Sequence, residues 1–343
     1  MAFTTIDKST EYFNTKLYTG NGSTNAQTGV GFQPDMTWIK SRSNNTDHVI
    51  TDAVRGVTKE IRPNKTDYED TASNGLTTFG TDGFTVGDWT VVNLNSETYS
   101  AWNWKANGQG SANSDGTITT TYTSANTTNG VSIIKYTGTG SNGTIGHGLG
   151  VAPQSVIIKK LNTAADWVIG NNGMGGWNYV MNFSTSPRAD QTAQFQSTAP
   201  SSSVITLGTD GQVNASGDTY ICYAFAPITG FSKFGGYIGN GSTDGTFVYT
   251  GFKPGFLIVK GATVTDNWSM FDSKNLGYNA YNQVMYPDLN LTESNGLPID
   301  FLSNGFKWRS SAAMVNGSSQ EFIYIAFASA PIVASNDIAA NAR

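Results

Sequence analysis

Three lysines occupy one position of a pattern that the sequence states three times. Each lies six residues after a proline and eight residues before an aromatic or imidazole ring. The three sets are Pro34, Lys40 and His48; Pro153, Lys159 and Trp167; and Pro254, Lys260 and Trp268. Fixed offsets of this kind indicate an internal repeat. A recurring cation beside a ring is compatible with a repeated ligand contact. We favour the alternative, in which the lysine stem packs along a strand and the ammonium reaches water or a nearby acid.

A glycine turn precedes each set, at Gly22, Gly140 and Gly241. A helix does not follow these turns, so a phosphate-binding role is not expected. Because a proline has no N–H to donate in the middle of a central strand, each of these prolines is expected at the start of a strand. We interpret these glycines, prolines and lysines as the structural signature of the repeat.

Residues able to perform acid–base or metal chemistry are few. His48 stands where the other copies carry tryptophan, which indicates a packing position, and His147 lies in a Gly-rich turn. Neither histidine belongs to a Ser-His-Asp, Cys-His or zinc-ligand pattern. The chain is therefore predicted to be non-enzymatic, with no metal and no cofactor.

Carboxylates of the first copy provide the alternative hypothesis, a glycoside hydrolase, since such enzymes use paired carboxylates. The candidates are Asp52, Glu60, Asp67, Glu69 and Asp70, most of which fall in a loop-rich region where carboxylates are usually solvated. Three further turns offer calcium-ligand types but are more typical of hairpins. They are Asp82-Gly83, Asp210-Gly211 and Asn304-Gly305.

Aromatic residues suggest sugar stacking, but most fall at matched positions of predicted strands and are expected in cores. This group comprises Trp102, Trp104, Trp167, Trp268 and Trp308. Trp177, with Tyr179 beside it, lies in an irregular insert of the second copy. These two residues are the sequence-based candidates for an exposed glycan or partner contact.

Composition narrows the class of protein. Among 343 residues, 13% are charged, 12% are aromatic and the net charge is −5, so a footprint for nucleic acid is not expected. The single cysteine, Cys222, lies in an apolar run and excludes an intrachain disulfide. The chain starts without the pattern of a signal peptide and lacks an apolar run long enough to span a membrane, so synthesis in a cytosol is expected.

Turn signals every 8–12 residues, without a long helical period, predict an all-β fold. The predicted fold is three tandem β-sandwiches, of jelly-roll or lectin-like type, each with its own core. The predicted organisation is an N-terminal arm (1–12), copy one (13–106), a Gly/Ser/Thr/Asn-rich linker (107–129), copy two (130–228), copy three (229–333) and a C-terminal tail (334–343). The linker run TITTTYT is a candidate added edge strand.

Several motifs together resemble a family of repeat-containing structural proteins of tailed, often marine, bacteriophages. They are KLYTGNGS, GF-x-P-x-x-x-WIKSR, D-x-VRG, SNGLTTF-x-x-DGF, ETY-x-AW-x-WKA and a terminal NAR. Copy one matches best, whereas copy two lacks the SNGL and VRG elements. The resemblance implies a virion surface protein, as a tail-fibre or receptor-binding subunit or as a capsid decoration or appendage.

The resemblance also implies partners. These are other virion proteins of the capsid or tail, a homo-oligomer that could be a trimer, and a host-surface polysaccharide. Nucleic acid and membrane are not expected as partners. Three similar domains in one chain could also mimic a trimer and cap a threefold position.

Overall fold

The computed structural model describes residues 4–275 and 278–333, and their regular structure is almost entirely antiparallel β-strand. Each copy forms a sandwich, in which a main sheet packs against an outer sheet of two to four strands. The all-β prediction with three β-sandwiches is therefore confirmed. The predicted C-terminal tail, 334–343, lies outside the described residues, as does the start of the predicted arm, 1–3.

The strands are short and follow one order in each copy. Copy one contains β1 (Phe13–Thr19), β2 (Asn25–Thr28), β3 (Met36–Ser41), β4 (Val49–Asp52), β5 (Lys59–Glu60), β6 (Asp70–Thr71), β7 (Leu76–Gly80), β8 (Gly83–Val86) and β9 (Thr98–Trp104). Copy two, with the segment before it, contains β10 (Tyr122–Asn126), β11 (Val131–Thr137), β12 (Gly143–Gly146), β13 (Ser155–Lys160), β14 (Val168–Asn171), β15 (Tyr179–Val180), β16 (Ala189–Asp190), β17 (Val204–Leu207) and β18 (Thr219–Phe225). Copy three contains β19 (Ser232–Ile238), β20 (Phe247–Tyr249), β21 (Phe252–Gly261), β22 (Ser269–Asp272), β23 (Tyr281–Val284), β24 (Ser294–Leu302), β25 (Gly305–Trp308) and β26 (Glu321–Pro331).

Among the residues that the structure describes, helices are limited to single turns. They are α1 (Thr90–Asn93), α2 (Thr192–Phe195), α3 (Gly211–Asn214) and α4 (Ala313–Asn316), with 3₁₀ turns at Ser9–Glu11 and Asn172–Met174. The helices α1, α3 and α4 precede the last strand of copies one, two and three, respectively.

The main sheets share one strand order. It is β1-β9-β3-β4 in copy one and β19-β26-β21-β22 in copy three, while copy two has β10 added beside β11-β18-β13-β14. The outer sheets are β2-β8-β7, β12-β17 and β20-β25-β24-β23. The strand that carries the repeated lysine is therefore central and is paired on both sides.

Both faces of each main sheet are buried, because strand residues alternate between two cores. In copy one, Trp38 and Trp102 point to the centre of the molecule, whereas Ile39 and Ala101 face the outer sheet. Every residue of β3 is buried as a result. Burial on both faces explains why these strands contain apolar residues at successive positions.

The inner faces of the three main sheets form one central core. Phe183 of copy two contacts Trp38, Trp167 and Trp268, which come from copies one, two and three. Phe327 of copy three likewise contacts aromatic residues of copies one and two. The prediction that each copy has a wholly separate core is therefore wrong. Separate outer cores exist in copies one and two, but the largest apolar cluster contains residues from all three copies.

A small cavity lies within this central core. Its walls are apolar side chains of all three copies, among them Trp38, Ile157 and Ile258. Its volume is about 20 Å³, which is close to that of a single water-sized probe. A cavity of this size and polarity is a packing defect and not a ligand site.

The segment 107–129, expected as a linker with an added strand, packs on copy two. Tyr122–Asn126 extends the main sheet as its edge strand, slightly later than the run TITTTYT. Ile118 forms a parallel bridge to Ile145 and so borders the outer sheet. In the arm, Ile6 is buried in the central core and the Thr4 hydroxyl donates to Thr229 O at 2.7 Å.

Two local predictions need correction. The GTDG sequence at 80–83 forms the β7–β8 hairpin, but the same letters at 208–211 do not. There the Asp210 side chain accepts from Gln212 N and caps α3, so the identity of the two runs is coincidental. Pro254 does not open its strand but lies inside β21, at a bulge opposite Ala328, where a missing N–H is tolerated.

Candidate functional site

Equivalent hydrogen bonds join the three copies into a closed ring. Trp167 of copy two donates its indole N–H to Arg62 O of copy one at 3.1 Å, and Trp268 of copy three donates to Asn182 O of copy two at 2.9 Å. His48 closes the ring, since its Nε2 lies 2.9 Å from Tyr286 O of copy three. We call these three contact regions the junctions.

His48 acts in its junction as a neutral ring. Its Nδ1 accepts from the Trp38 indole at 2.9 Å, which leaves Nε2 as the protonated atom that donates to Tyr286 O. Burial, together with the charge of Lys40, lowers the pKa of His48 well below its usual value. The ring thus performs the same task as the two tryptophans, as expected for a packing position.

The three repeated lysines are fully buried and bind main-chain carbonyl groups at or beside the junctions. Lys40 Nζ donates to Ser41 O at 2.6 Å and to Asn44 O at 3.2 Å. Lys159 Nζ donates to Thr66 O of copy one at 2.8 Å, and Lys260 Nζ donates to Thr185 O of copy two at 3.3 Å. The lysines therefore hold loop backbones, and two of them hold a neighbouring copy.

Titration of these lysines gives a stability prediction. Burial lowers the pKa of each of them to about 8, against the opposing charge of nearby aspartates. Between about pH 8 and about pH 10 the unfolded chain retains protons that the folded chain has released. The free energy of unfolding, measured with urea, is therefore expected to rise over this range. A flat or falling profile would contradict the assignment.

Substitution separates the lysines from other groups that titrate near this range. The triple variant Lys40→Met, Lys159→Met and Lys260→Met is expected to lose the rise. The control Lys8→Met, whose side chain is 74% exposed, is expected to keep it. The comparison ends near pH 10 because burial raises the pKa of tyrosines such as Tyr136, which reverses the sign at higher pH.

A second set of junction contacts involves buried carboxylates. Asp52 of copy one accepts from the Tyr223 hydroxyl of copy two at 2.7 Å. Asp272 of copy three accepts from the Trp102 indole of copy one at 3.2 Å. Burial raises the pKa of Asp272 to about 6. In both cases the donor comes from the neighbouring copy.

The third junction lacks both the carboxylate and the donor. Copy two carries Asn171 at the aspartate position, and its Oδ1 accepts from Gly173 N at 2.8 Å. In strand register, copy three carries Ile325 where the other copies have Trp102 and Tyr223. The carboxylate is thus present only where a side chain across the junction can donate to it.

Asp52 also binds Arg55, a buried cation. Arg55 Nε donates to Asp52 Oδ2 at 2.6 Å, and Nη2 donates to Ile50 O at 2.9 Å. Glu69 Oε2 lies 3.5 Å from Arg55 Nη1. Burial alone would lower the pKa of Arg55, but the charge of Asp52, together with that of Glu69, raises it, so the guanidinium stays charged.

A buried asparagine holds the glycine turn in each copy. Asn316 Nδ2 donates to Asn240 Oδ1, Ser242 O and Ser310 O, each at 2.9 Å, while its Oδ1 accepts from Asn240 N at 3.1 Å. Asn93 and Asn214 make corresponding bonds to their own turns. The turns need glycine, since φ is +64° at Gly22, +73° at Gly140 and +67° at Gly241.

Replacement of Asn316 by alanine is expected to lower the free energy of unfolding by about 2 kcal/mol, because buried carbonyl and N–H groups lose their partners. Urea unfolding monitored by tryptophan fluorescence measures the change. The control Asn295→Ala removes an exposed asparagine of β24 and is expected to change stability by less than about 0.5 kcal/mol. Equal effects of the two variants would refute the role of Asn316.

The sequence-based binding candidates are located differently from expectation. Trp177 is only 6% exposed and packs edge-to-face on Phe195, in the outer core of copy two. The expectation of an exposed aromatic is therefore wrong, because the insert folds back over β14 and covers the ring. Tyr179 is half-buried beneath the Arg188 guanidinium, which lies 4.7 Å from the ring centroid. A binding role for either residue stays a prediction.

Other candidate residues occupy structural positions. His147 is buried, and its ring lies 3.2 Å from both Ser201 O and Leu149 N. Cys222 is buried in the outer core of copy two, and burial raises the pKa of its thiol. Asn304-Gly305 forms the turn between β24 and β25. Among residues 4–275 and 278–333, His, Cys, Asp and Glu side chains do not form a group of three that could hold a metal ion.

The carboxylates of the hydrolase hypothesis fall into two groups. Asp52 and Glu69 surround Arg55, as described above. Glu60, Asp67 and Asp70 line an open polar concavity near β5 and β6. Within the described part of the chain, helices are too short and too polar to cross a membrane.

A family model, described as a domain of unknown function (DUF7483), matches residues 8–331. The chain belongs to the DUF7483 family. Curated proteins and solved structures do not provide a match. In this chain the DUF7483 match covers all three copies and the segment between copies one and two. The family is thus defined over the whole ring and not over a single sandwich.

Sequence reasoning missed the buried asparagines of this DUF7483 chain, although a signal for them exists. A Val-Asn pair recurs at 92–93, 213–214 and 315–316. The asparagine of each pair lies six residues before an aromatic residue of the closing strand, which is Tyr99, Tyr220 or Phe322. A two-letter match is a weak signal beside longer exact matches such as GTDG at 80–83 and 208–211, which occupy different positions in copies one and two.

Proposed function

We propose that the chain is a non-enzymatic structural protein exposed on a bacteriophage particle. In this role a single chain supplies three β-sandwiches around a pseudo-threefold axis. The resemblance of KLYTGNGS, ETY-x-AW-x-WKA and the other motifs to phage structural proteins supports the assignment to a virion.

The cyclic set of junctions is the observation that carries the proposal. Copies two and three each donate an indole N–H to a carbonyl of the preceding copy. The His48 ring of copy one donates to a carbonyl of copy three and so closes the ring. One chain thereby has the contact pattern that a trimer of single sandwiches would have. Such a unit matches the symmetry of a threefold position on a capsid without any need to oligomerise.

Decoration of the capsid is the role that we favour over a tail-fibre subunit. A fibre subunit gains its length and stability from a trimer of separate chains. Here the inner faces of the sheets are already covered within one chain. The resemblance implies a homo-oligomer, whereas the covered inner faces lead us to propose a monomer. Light scattering of the purified chain distinguishes the two states.

Immunogold electron microscopy of intact particles tests the location. Antibody raised against the purified chain is expected to label heads. Particles lacking the gene, labelled in parallel, control for antibody specificity. Label confined to the tail would contradict capsid decoration and support the tail-fibre role. Purified particles without any label or copy of the chain, judged by mass spectrometry, would overturn the virion assignment.

A further inference from the structure

A polar concavity in copy one has the composition of a small-ligand pocket. It is lined by Glu60, Arg62, Asp67, Tyr68 and Asp70 and has a volume of about 270 Å³. That volume leaves room for several water molecules or for a small polar ligand. We call it the 60–70 pocket.

Two buried polar atoms in the wall of this pocket lack hydrogen-bond partners. Glu60 is 1% exposed, and one of its carboxyl oxygens accepts from Arg62 while Oε2 has no partner. Arg62 Nε, a donor, also has no partner. Buried polar groups are nearly always paired, so an unpaired acceptor and an unpaired donor in one wall need an explanation. A hydroxyl group both donates and accepts, so hydroxyl groups are chemically suited to both kinds of atom.

The other copies show that the fold does not require a glutamate here. The bridges Ile50–Ile61, Ile169–Met181 and Met270–Met285 place Glu60, Val180 and Val284 at one structural position. Both valines are buried, at 3% and 1% exposure. An apolar residue therefore fills this position well. Copy one instead buries a carboxyl group, and burial raises the pKa of Glu60 despite the opposing effect of Arg62.

The rim of the pocket adds an aromatic face and further carboxylates. Tyr68 is 57% exposed and can pack against the C–H face of a sugar ring. Asp67 and Asp70 bring the carboxyl groups in the wall to three, against the single guanidinium of Arg62. The excess of acidic groups disfavours an anionic ligand and leaves neutral or basic ligands favoured.

A second concavity lies beside the first. It is lined by residues 71–74 and 88–90, with a volume of about 420 Å³. Arg62 connects the two, since its guanidinium lies 5.7 Å from the ring centroid of Trp89 in the second wall. Tyr68 thus lines one concavity and Trp89 the other, and Arg62 is adjacent to both.

We propose that the 60–70 pocket is a glycan-binding site, in which Glu60 and Arg62 bind hydroxyl groups of a neutral or amino sugar and Tyr68 packs against its ring. The adjoining concavity at Trp89 takes the next sugar of the chain. The use of this site for attachment to host polysaccharide rests on the proposed function, whereas binding itself is a property of the purified chain.

A glycan array that carries neutral, amino and acidic oligosaccharides tests the proposal on the full-length chain. Binding to neutral or amino glycans is expected, with weak or no binding to uronic-acid glycans. Titration calorimetry with the best soluble oligosaccharide then compares variants. Glu60→Val is expected to weaken binding at least about tenfold, because a charge-assisted hydrogen bond is lost. Tyr68→Ala is expected to weaken it by a similar factor.

Two controls separate loss of binding from loss of folding and from a general effect of removing a surface tyrosine. Glu60→Val reproduces the residue of the other copies, so its unfolding curve is expected to match that of the unchanged chain. Tyr249→Ala removes a tyrosine of copy three that is 50% exposed and is expected to leave binding unchanged. Absence of binding to every neutral and amino glycan, preference for acidic glycans, or equal binding by Glu60→Val would overturn the proposal.

Failure of the glycan-binding proposal can be distinguished from failure of the proposed virion role. Label on phage heads without glycan binding would overturn only the pocket. Glycan binding by a chain that is absent from purified particles would overturn only the virion role. Release of reducing ends from the bound glycan would overturn the non-enzymatic assignment and support the hydrolase alternative, with the binding site retained.

Discussion

Replacement of Arg55 by methionine is expected to lower the free energy of unfolding by about 3–5 kcal/mol at neutral pH. The Arg55 side chain is fully buried between Asp52 and Glu69. Methionine fills similar space but leaves a buried carboxylate without its cation, and Ile50 O with only the bond from Ile61 N. The Tyr223 hydroxyl, which also binds Asp52, compensates for only part of this loss.

Urea unfolding of the purified variant measures this change. The double variant Arg55→Met, Asp52→Asn is the informative control, because copy two tolerates Asn171 at the same position. We expect the second substitution to restore part of the lost stability. A loss below about 1 kcal/mol for Arg55→Met, or no recovery in the double variant, would show that the Arg55 network does not stabilise the junction.

Introduction of a carboxylate at the third junction is expected to destabilise the chain by about 3 kcal/mol near pH 8. In Asn171→Asp, Oδ1 keeps its bond from Gly173 N. The second oxygen replaces a buried amide nitrogen that makes no hydrogen bond, and Ile325 cannot donate to it. The cost arises from burial of an unpaired charge.

The pH dependence identifies that cause. Burial raises the folded-state pKa of such a carboxyl, so the folded chain holds a proton that the unfolded chain releases above about pH 4. The destabilisation is therefore expected to be small near pH 4 and to grow as pH rises. Asn172→Asp, which adds the same charge at the exposed neighbouring residue, is expected to change stability by less than about 0.5 kcal/mol. A pH-independent loss would indicate a packing effect instead.

Much of the fold follows from local pattern. Alternation in MTWIKSR correctly assigns Trp38 and Ile39 to opposite faces of one strand, and the fixed offsets around Lys40 correctly identify three copies. The ring of copies does not follow from these patterns. The bonds that form it run from side chains to main-chain carbonyls such as Tyr286 O, and any residue type can offer a carbonyl. The hydrogen-bond partner of His48 therefore cannot be predicted from the sequence.

The candidate sites were harder to predict than the fold. Trp177 was expected at the surface because its surroundings in sequence are irregular, yet irregular segments can cover a sheet as well as extend from it. Glu60 was named only as one loop carboxylate among several. Glu60 differs from the other carboxylates because it occupies a buried position that is valine, Val180 or Val284, in the other copies. This correspondence depends on β-bridges between residues that are distant in sequence.

The unequal junctions have a consequence for assembly. Tyr223 faces Asp52, Trp102 faces Asp272, and Ile325 corresponds to Asn171. An exchange of two different copies in the ring would set a carboxylate opposite isoleucine and leave a tyrosine or tryptophan donor opposite an amide. Each junction thus favours its proper neighbouring copy over the others. The distribution of donors and carboxylates therefore selects one of the two cyclic orders in which three copies can close.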